Sequence, residues 1–119
     1  MAKVVLENLN KVFRSKTDKD VKAVNNFNLN LEDGEILALL GSSGCGKTTT
    51  LRMIAGFETV TSGQIKIGEK IVNDLKPANR NVAMAFEGYA LYPPLTIRDN
   101  IAFSLMREKI SKENVEAKV

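Results

Sequence analysis

The sequence predicts an α/β fold in which apolar strands alternate with helices. Residues 36–40 form a continuous apolar run, which is typical of a strand that is covered on both faces. A glycine-rich loop follows this run at once, and a helix is expected over about residues 47–55. Residues 82–86 predict a second, mostly apolar strand. Residues 27–31 and 64–67 alternate apolar and polar side chains and therefore predict half-buried strands.

The N-terminal segment is predicted from its strand-forming and turn-forming residues. A strand is expected over residues 4–13, with turn chemistry near Asn8 and Asn10. Residues 14–22 are polar and charged, and this composition predicts a loop. The Glu-Asp-Gly sequence at residues 32–34 predicts a tight turn before the apolar run.

The helix over residues 47–55 and the strands after it are bounded by residues that favour turns. Gly56 stands where a helix-ending glycine is favoured. One face of that helix is expected to carry Leu51, Ile54 and Ala55. Residues 68–69 predict a turn between two strands, and residues 77–81 predict a loop.

The last third of the chain predicts an irregular segment and then two helices. Residues 89–95 contain two consecutive prolines and cannot be regular. Thr96 is a good cap for a helix and Ser111 for a second one. The apolar residues of the two helices are Ile97, Ile101 and Leu105, at a spacing of four, and then Val115 and Val119.

Composition excludes several classes of protein. The 119 residues suffice for one small domain, and the apolar fraction of 44% is ordinary for a soluble globular chain. The net charge of +3 comes from dispersed residues, which argues against a nucleic-acid partner. Histidine is absent, which removes imidazole catalysis and most zinc sites. With Cys45 as the single cysteine, no apolar run of about 20 residues and no signal peptide, a cytoplasmic location is expected.

Residues 41–48 fit the phosphate-binding motif G-x-x-x-x-G-K-[ST] at every fixed position. The glycines let main-chain N–H groups approach a phosphate and point into one concavity that favours an anion. The helix beginning at Lys47 adds the positive end of its dipole, and the Lys47 ammonium supplies a full charge to the β- and γ-phosphates. The Thr48 hydroxyl can ligate Mg²⁺. The sequence therefore predicts a nucleoside triphosphate site.

Two further residues have alternative interpretations. Cys45 lies at a helix N-terminus beside Lys47, so a nucleophilic role is one interpretation, but its role as small filler in the loop is favoured. Phe13 could stack on an adenine or belong to the core, and composition alone favours the core.

The phosphate motif lies within a longer stretch that resembles a known family. Residues 31–56 resemble the ATP-binding cassette (ABC) transporter ATPases, and residues 86–93 resemble the segment that this family calls the Q-loop. Together the two segments are most similar to the sugar-importer branch, the maltose and glycerol-phosphate type. The resemblance implies a P-loop NTPase-type core with an N-terminal antiparallel β subdomain, which is incomplete in this chain.

The resemblance also implies roles for individual residues. Phe13 takes the position of an aromatic ring that stacks on adenine, which reverses the preference for the core. The implied nucleotide-binding residues of the loop are Ser42, Ser43, Gly44, Cys45, Gly46, Lys47, Thr48 and Thr49. Thr48 and Glu87 are the implied Mg²⁺ ligands, and Glu87 replaces the glutamine that is usual in the family.

The implied partners are transmembrane permease subunits and a second ATPase subunit. Residues 89–96 take the position that faces a permease subunit in the family. The resemblance thus implies a protein that binds ATP with Mg²⁺ and is peripheral on the inner face of the cell membrane. Its implied role is to energise solute import, with sugars as the expected solutes.

The sequence departs from the family in one further respect. Family members carry an L-S-G-G-Q signature motif, a second acidic strand and a switch histidine, and none of these occurs in residues 1–119. The chain is therefore expected to be the N-terminal part of a nucleotide-binding domain and not to hydrolyse ATP alone. The apolar strands over residues 36–40 and 82–86 are expected to leave faces exposed, which favours aggregation.

Three other functions remain open from the sequence. One is a nucleotide-binding fragment or pseudogene product that does not hydrolyse ATP. Another is a different P-loop enzyme, such as a small kinase or a GTPase, although no N-K-x-D guanine motif occurs. A DNA-repair ATPase of related fold is the third, and the transporter-like residues 89–94 argue against it.

Overall fold

The computed structural model describes residues 2–42, 44–86, 91–107 and 111–119, which form two compact units divided after Ala83. The first unit contains four strands, one helix and one 3-10 turn. They are β1 (Val4–Phe13), β2 (Val21–Leu31), α1 (Lys47–Ala55), β3 (Ser62–Ile67), β4 (Lys70–Ile71) and the 3-10 turn Pro77–Asn79. The second unit contains α2 (Ile97–Arg107) and α3 (Lys112–Lys118).

The strands form one antiparallel sheet with the order β2-β1-β3-β4. Leu6 of β1 pairs with Leu29 of β2 on one side and with Ile65 of β3 on the other. Leu6 and Ile65 are fully buried, and they share a core cluster with Leu9, Val24, Met53 and Val72. The predicted N-terminal antiparallel β subdomain is thus confirmed, and β1 is one of its two central strands.

The turn chemistry predicted near Asn8 and Asn10 produces β-bulges and does not end the strand. Asn8 and Asn26 adopt left-handed backbone conformations with φ of 49° and 47°, which asparagine tolerates better than most residues do. The Asn28 side chain accepts a hydrogen bond from the Asn8 N–H at 2.9 Å, and the Asn10 side chain accepts one from the Asn26 N–H at 2.8 Å. These amides satisfy main-chain donors at the register shifts between β1 and β2.

Helix α1 has the predicted bounds. Gly56 follows it in the left-handed region with φ of 94°, and its N–H donates to the carbonyls of Arg52 and Met53, as at many glycine-terminated helices. The expected buried face is only partly right. Met53 and Ala55 are buried, whereas Leu51 is exposed, because the side that packs on the sheet core is the one that carries Met53.

The two apolar segments predicted as strands are not strands in the structure. Residues 36–40 and 82–86 have no strand structure, and Ile36 and Leu40 are 98% and 90% exposed. A strand needs a neighbour for its main-chain hydrogen bonds, and the sheet formed by the described residues includes neither segment. The exposure of their apolar side chains agrees with the sequence expectation.

The second unit confirms both predicted helix caps. The Thr96 hydroxyl accepts from the Asp99 N–H at 3.1 Å, and the Ser111 hydroxyl accepts from the Asn114 N–H at 3.4 Å. Ala102 of α2 and Val115 of α3 are buried, and the stripe at a spacing of four includes the exposed Ile97 and Ile101. Among the described residues, no helix combines the length and the apolar character required to cross a membrane.

Candidate functional site

The glycine-rich loop between residue 40 and α1 has the backbone that the motif requires. Gly44 and Gly46 lie in the left-handed region with φ of 81° and 91°, where a Cβ is unfavourable. The Cys45 N–H donates to the Ser42 carbonyl at 3.3 Å, which closes a turn inside the loop. Ser43 lies outside the described residues, so its predicted contact stays a prediction.

The loop packs directly against β2. A Cβ added at Gly46 would lie 2.4 Å from the Ala23 carbonyl oxygen, so only glycine permits this approach. The strand and the loop together enclose a cleft of about 420 Å³, called here the loop cleft. It is lined by Val21, Lys22, Ala23, Gly44, Gly46, Lys47, Thr48 and Thr49. One wall of the cleft is therefore strand, and the other is loop and helix.

The first turn of α1 suits an anion. Gly46 is its N-cap and offers no side-chain hydrogen bond, and the first turn has no acidic residue. The N–H groups at a helix start have no intrahelical partner, and the dipole makes this end positive. Thr50 stabilises the start of the helix, because its hydroxyl donates to the Gly46 carbonyl at 2.8 Å.

Of the predicted loop side chains, those of Lys47, Thr48 and Thr49 line the loop cleft, whereas Ser42 and Cys45 are not among its lining residues. The Lys47 ammonium donates to the Gly41 carbonyl and so ties the two ends of the loop together. Thr48 is exposed and Thr49 half-buried, and both line the cleft. A second cation, Lys22, also lines it. The cleft thus combines two ammonium groups with hydroxyls and a helix N-terminus.

Phe13 lies next to the loop cleft and outside the core. It is 40% exposed, so the preference for a core position that composition alone gave is wrong. Phe13 pairs with Val21 in the ladder between β1 and β2, and Val21 lines the cleft. Its stacking on adenine stays a prediction.

An ion pair lies beside Phe13. The Lys11 ammonium is 5.1 Å from the centroid of the Phe13 ring and 2.9 Å from a Glu58 carboxylate oxygen. The hydrogen bond from Lys11 holds the pKa of Glu58 below its usual range, against the opposing effect of burial. Glu58 is therefore an anion at neutral pH, matched to a nearly buried cation.

The strand wall of the cleft was not expected from the sequence. Residues 14–22 were expected to form a loop, but β2 begins at Val21, so Val21 and Lys22 belong to the strand. The alternation of apolar and polar residues seen over 27–31 weakens toward Val21, so the start of the strand is hard to predict. That this end of β2 lines the cleft follows only from its packing against Gly46 in the tertiary structure.

A second concave surface lies in the second unit. The groove has a volume of about 570 Å³ and is lined by Leu91, Tyr92, Pro93, Leu95, Ile97, Asn100, Ile101, Phe103 and Ser104. Asn100 holds the preceding segment on α2, since its side chain accepts from the Tyr92 N–H and donates to the Thr96 carbonyl, both at 2.9 Å. The rings of Tyr92 and Phe103 lie 4.6 Å apart. Residues 91–96 of the predicted contact segment thus belong to a shaped, mainly apolar surface, whereas Glu87 and residues 89–90 lie outside the described residues.

No group of three or more cysteine, histidine or carboxylate side chains suitable for a metal occurs in the described ranges. Mg²⁺ is usually held by one or two protein groups together with phosphate oxygens and water, so a site at Thr48 would not require such a group.

Comparison with known proteins gives consistent matches. The sn-glycerol-3-phosphate import ATP-binding protein of Brucella abortus is 45% identical over 119 residues, which cover all of this chain and 33% of the relative. The osmoprotective compounds uptake ATP-binding protein of Synechocystis is 50% identical over the same span, or 31% of its length. The chain thus spans about a third of the length of these relatives.

The solved structures agree with the sequence matches. The ATP-binding cassette MJ0796, in a dimeric post-hydrolysis state bound to ADP and Pi, aligns with a TM-score of 0.78 and 29% identity. The alignment covers 94% of this chain and 52% of that one. The sequence profile described as ABC transporter matches residues 24–119. The loop, the helix and the sheet described above are therefore those of the nucleotide-binding cassette, and the chain belongs to the ABC transporter family.

Proposed function

We propose that this chain binds ATP with Mg²⁺ as part of the ATP-binding subunit of an importer, with a sugar or a related polyol as the solute. The observation that carries the proposal is the loop cleft, in which left-handed Gly44 and Gly46 lead into an uncapped helix start beside Lys47. Two of the relatives are named as ATP-binding proteins for import or uptake, which supports the same function.

The residues of the loop fit a triphosphate. Main-chain N–H groups from Ser42 to Thr49, with Ser43 among them by resemblance, would hold the phosphate oxygens. Lys47 would place its ammonium against the β- and γ-phosphates once its bond to the Gly41 carbonyl is shared or exchanged. When bound, Mg²⁺ neutralises part of the phosphate charge.

Thr48 is the proposed Mg²⁺ ligand within the described residues, because its exposed side chain lines the loop cleft. The family resemblance adds Glu87 as a second ligand. Phe13 is the proposed stacking partner of adenine, because it pairs with Val21 at the edge of the same cleft and the residue is 40% exposed.

Hydrolysis requires more than a phosphate cradle. The reaction needs a positioned water and stabilisation of the charge that develops, and the 119 residues contain neither the signature motif nor a histidine. Residues 1–119 are accordingly proposed as the N-terminal part of a nucleotide-binding domain. Its active form would include a second ATP-binding subunit, as the dimeric state of the cassette MJ0796 suggests.

The groove of the second unit is the proposed contact with a permease subunit. Exposed Leu91 and Ile97 rim a mainly apolar concavity that Asn100 holds in shape. A short apolar helix from a membrane subunit would fit such a surface. This contact would place the chain on the inner face of the cell membrane.

Equilibrium binding of ATP to the 119-residue chain, immobilised at low density, tests the proposal. Lys47→Met should weaken ATP binding about 10- to 100-fold, because a charge-assisted contact to phosphate is lost. Lys70→Met, which removes an exposed lysine of β4, is the matched control and should bind as the parent does. Equal affinities in Lys47→Met and the parent would refute the phosphate site. Phosphate release by the 119-residue chain alone would contradict the expectation that these residues bind ATP without hydrolysing it.

A further inference from the structure

Lys11 is a nearly buried lysine beside Phe13, at the end of the proposed nucleotide site that would hold the adenine. It is 7% exposed, and buried lysines are rare unless they are paired. Its ammonium lies 2.9 Å from a Glu58 carboxylate oxygen and donates to the Thr59 hydroxyl, also at 2.9 Å. Two acceptors therefore fix the position of this cation.

The Lys11 ammonium also contacts the ring of Phe13. The two residues are two positions apart on β1, so their side chains lie on the same face of the strand. The ammonium is over the ring at 5.1 Å from its centroid, within the range of a cation–π interaction. One face of the ring is thus held by a fixed cation, while 40% of the residue stays exposed.

The acceptors of Lys11 belong to the segment that leaves α1. Glu58 lies three positions after Ala55, the last residue of the helix. A further hydrogen bond joins the same end of β1 to this segment, because the Val12 N–H donates to the Thr61 hydroxyl at 2.9 Å. The end of β1 that carries Phe13 is therefore joined to the helix whose other end forms the loop cleft.

We propose that Lys11, fixed by Glu58, is a positioning residue that orients the Phe13 ring for stacking on the nucleotide base. The proposal rests on the proposed function, in which Phe13 stacks on adenine. The ammonium occupies one ring face and leaves the other for the base, and the ion pair fixes the ring relative to α1. Its effect is confined to the base, so the phosphates should not sense its loss.

The test compares ATP with inorganic tripolyphosphate, which lacks the adenosine, on the immobilised chain. Lys11→Met should weaken ATP binding about three- to tenfold, the range of a cation–π contact that also fixes a ring. Tripolyphosphate binding should change less than about twofold, since the loop cleft is untouched. Lys11→Arg, which keeps the cation, should restore most of the ATP affinity.

Each failure has a distinct signature. If Phe13→Ala leaves the ratio of ATP to tripolyphosphate affinity unchanged, the stacking role of Phe13 in the proposed function is wrong. If Phe13→Ala lowers this ratio but Lys11→Met does not, the positioning role is overturned. If Lys11→Met lowers the affinities for ATP and tripolyphosphate by the same factor, Lys11 has a purely structural role and the proposal is overturned.

A second variant keeps the test decisive if Lys11→Met fails to bind tripolyphosphate because the fold is lost. Glu58→Gln keeps a hydrogen-bond acceptor of the same shape for Lys11 but removes the charge that fixes it. A smaller decrease in the ATP to tripolyphosphate ratio is expected for Glu58→Gln. An unchanged ratio in a Glu58→Gln variant that still binds tripolyphosphate would overturn the proposal.

Discussion

The Arg80 guanidinium donates from Nη1 to the Met53 carbonyl at 2.7 Å and so closes the C-terminal end of α1. It also reaches the carbonyls of Ile54, Leu75 and Asn73 at 3.2, 2.8 and 3.1 Å. Arg80 is 5% exposed, and burial lowers its pKa, but a guanidinium stays charged at neutral pH. A cation at this helix end is favourable. The helix is thus fixed at the end opposite to the loop cleft.

Replacement of Arg80 should destabilise the first unit strongly. Arg80→Met leaves buried carbonyls without their donor, which should lower the free energy of unfolding by about 2–4 kcal/mol. Urea-dependent pulse proteolysis measures this value. Arg14→Met is the control, because the Arg14 side chain is 80% exposed and its loss should cost less than about 0.5 kcal/mol. Equal losses in the two variants would show that the carbonyl contacts of Arg80 do not stabilise the fold.

The two left-handed glycines of the loop should respond differently to alanine. Gly46→Ala combines a φ of 91° with a Cβ 2.4 Å from the Ala23 carbonyl oxygen, so the loop must move away from β2. We expect ATP binding to fall at least about tenfold, together with a loss of stability above the strain cost of about 1–2 kcal/mol. Gly44→Ala should lose only that strain cost in stability, because no protein atom lies within 4 Å of its added Cβ. Urea unfolding of both variants measures the difference, and equal losses of stability would contradict the packing argument.

Alkylation of Cys45 should block nucleotide binding. The thiol is exposed, and its sulfur lies only 2.6 Å from the place of a Cβ added at Gly41, so an attached group must crowd the loop. Treatment with N-ethylmaleimide should abolish ATP binding, and prior saturation with ATP should slow the labelling. Because Cys45 is the single cysteine, mass spectrometry measures its labelling directly. Cys45→Ser should be insensitive to the reagent. Equal labelling rates with and without ATP would place the nucleotide away from this loop.

Acid should remove the stabilisation that the pair of Lys11 and Glu58 provides. The folded-state pKa of Glu58 is lowered, so its contribution is complete above the pKa of the unfolded state and is lost as pH falls through the folded value. The Glu58 side chain is 27% exposed, so we expect Glu58→Gln to cost only about 1 kcal/mol at pH 7. This difference should close below the ordinary glutamate pKa of about 4.3. Urea unfolding at pH 7 and pH 3 measures it, with Glu69→Gln on an exposed turn as control. A difference that does not shrink between pH 7 and pH 3 would exclude the ion pair as its source.

Elements defined by local chemistry were predictable from the sequence. The bounds of α1 follow from the glycines on either side, Gly46 and Gly56, both of which adopt left-handed conformations. The caps at Thr96 and Ser111 follow from hydroxyl side chains three positions before a free N–H. These features depend on a few neighbouring residues, so no knowledge of the tertiary structure was needed.

Elements that depend on distant partners were not predictable in the same way. The apolar run at residues 36–40 has the composition of a strand, but composition does not supply the neighbour that a strand must pair with. Within the candidate site, the phosphate-binding motif located the loop. Lys22 lines the loop cleft only because β2 packs on Gly46, and no sequence motif indicates this packing. Likewise, the pairing of Phe13 with Val21 decides its exposure, and this register is set by the whole sheet.

The exposed apolar run should make the chain self-associate. Ile36 and Leu40 are 98% and 90% exposed within the five apolar residues 36–40, which contain no charge and no proline. Such a segment is a template for intermolecular strand pairing. Sedimentation of the parent chain should show aggregates, and Ile36→Lys combined with Leu40→Lys should reduce them, because charges oppose stacking. Ile71→Lys, at a position 49% exposed on β4, is the control and should have the smaller effect. A parent chain that is monodisperse and melts cooperatively as a monomer would contradict this expectation, since the exposed run would then have no consequence for association.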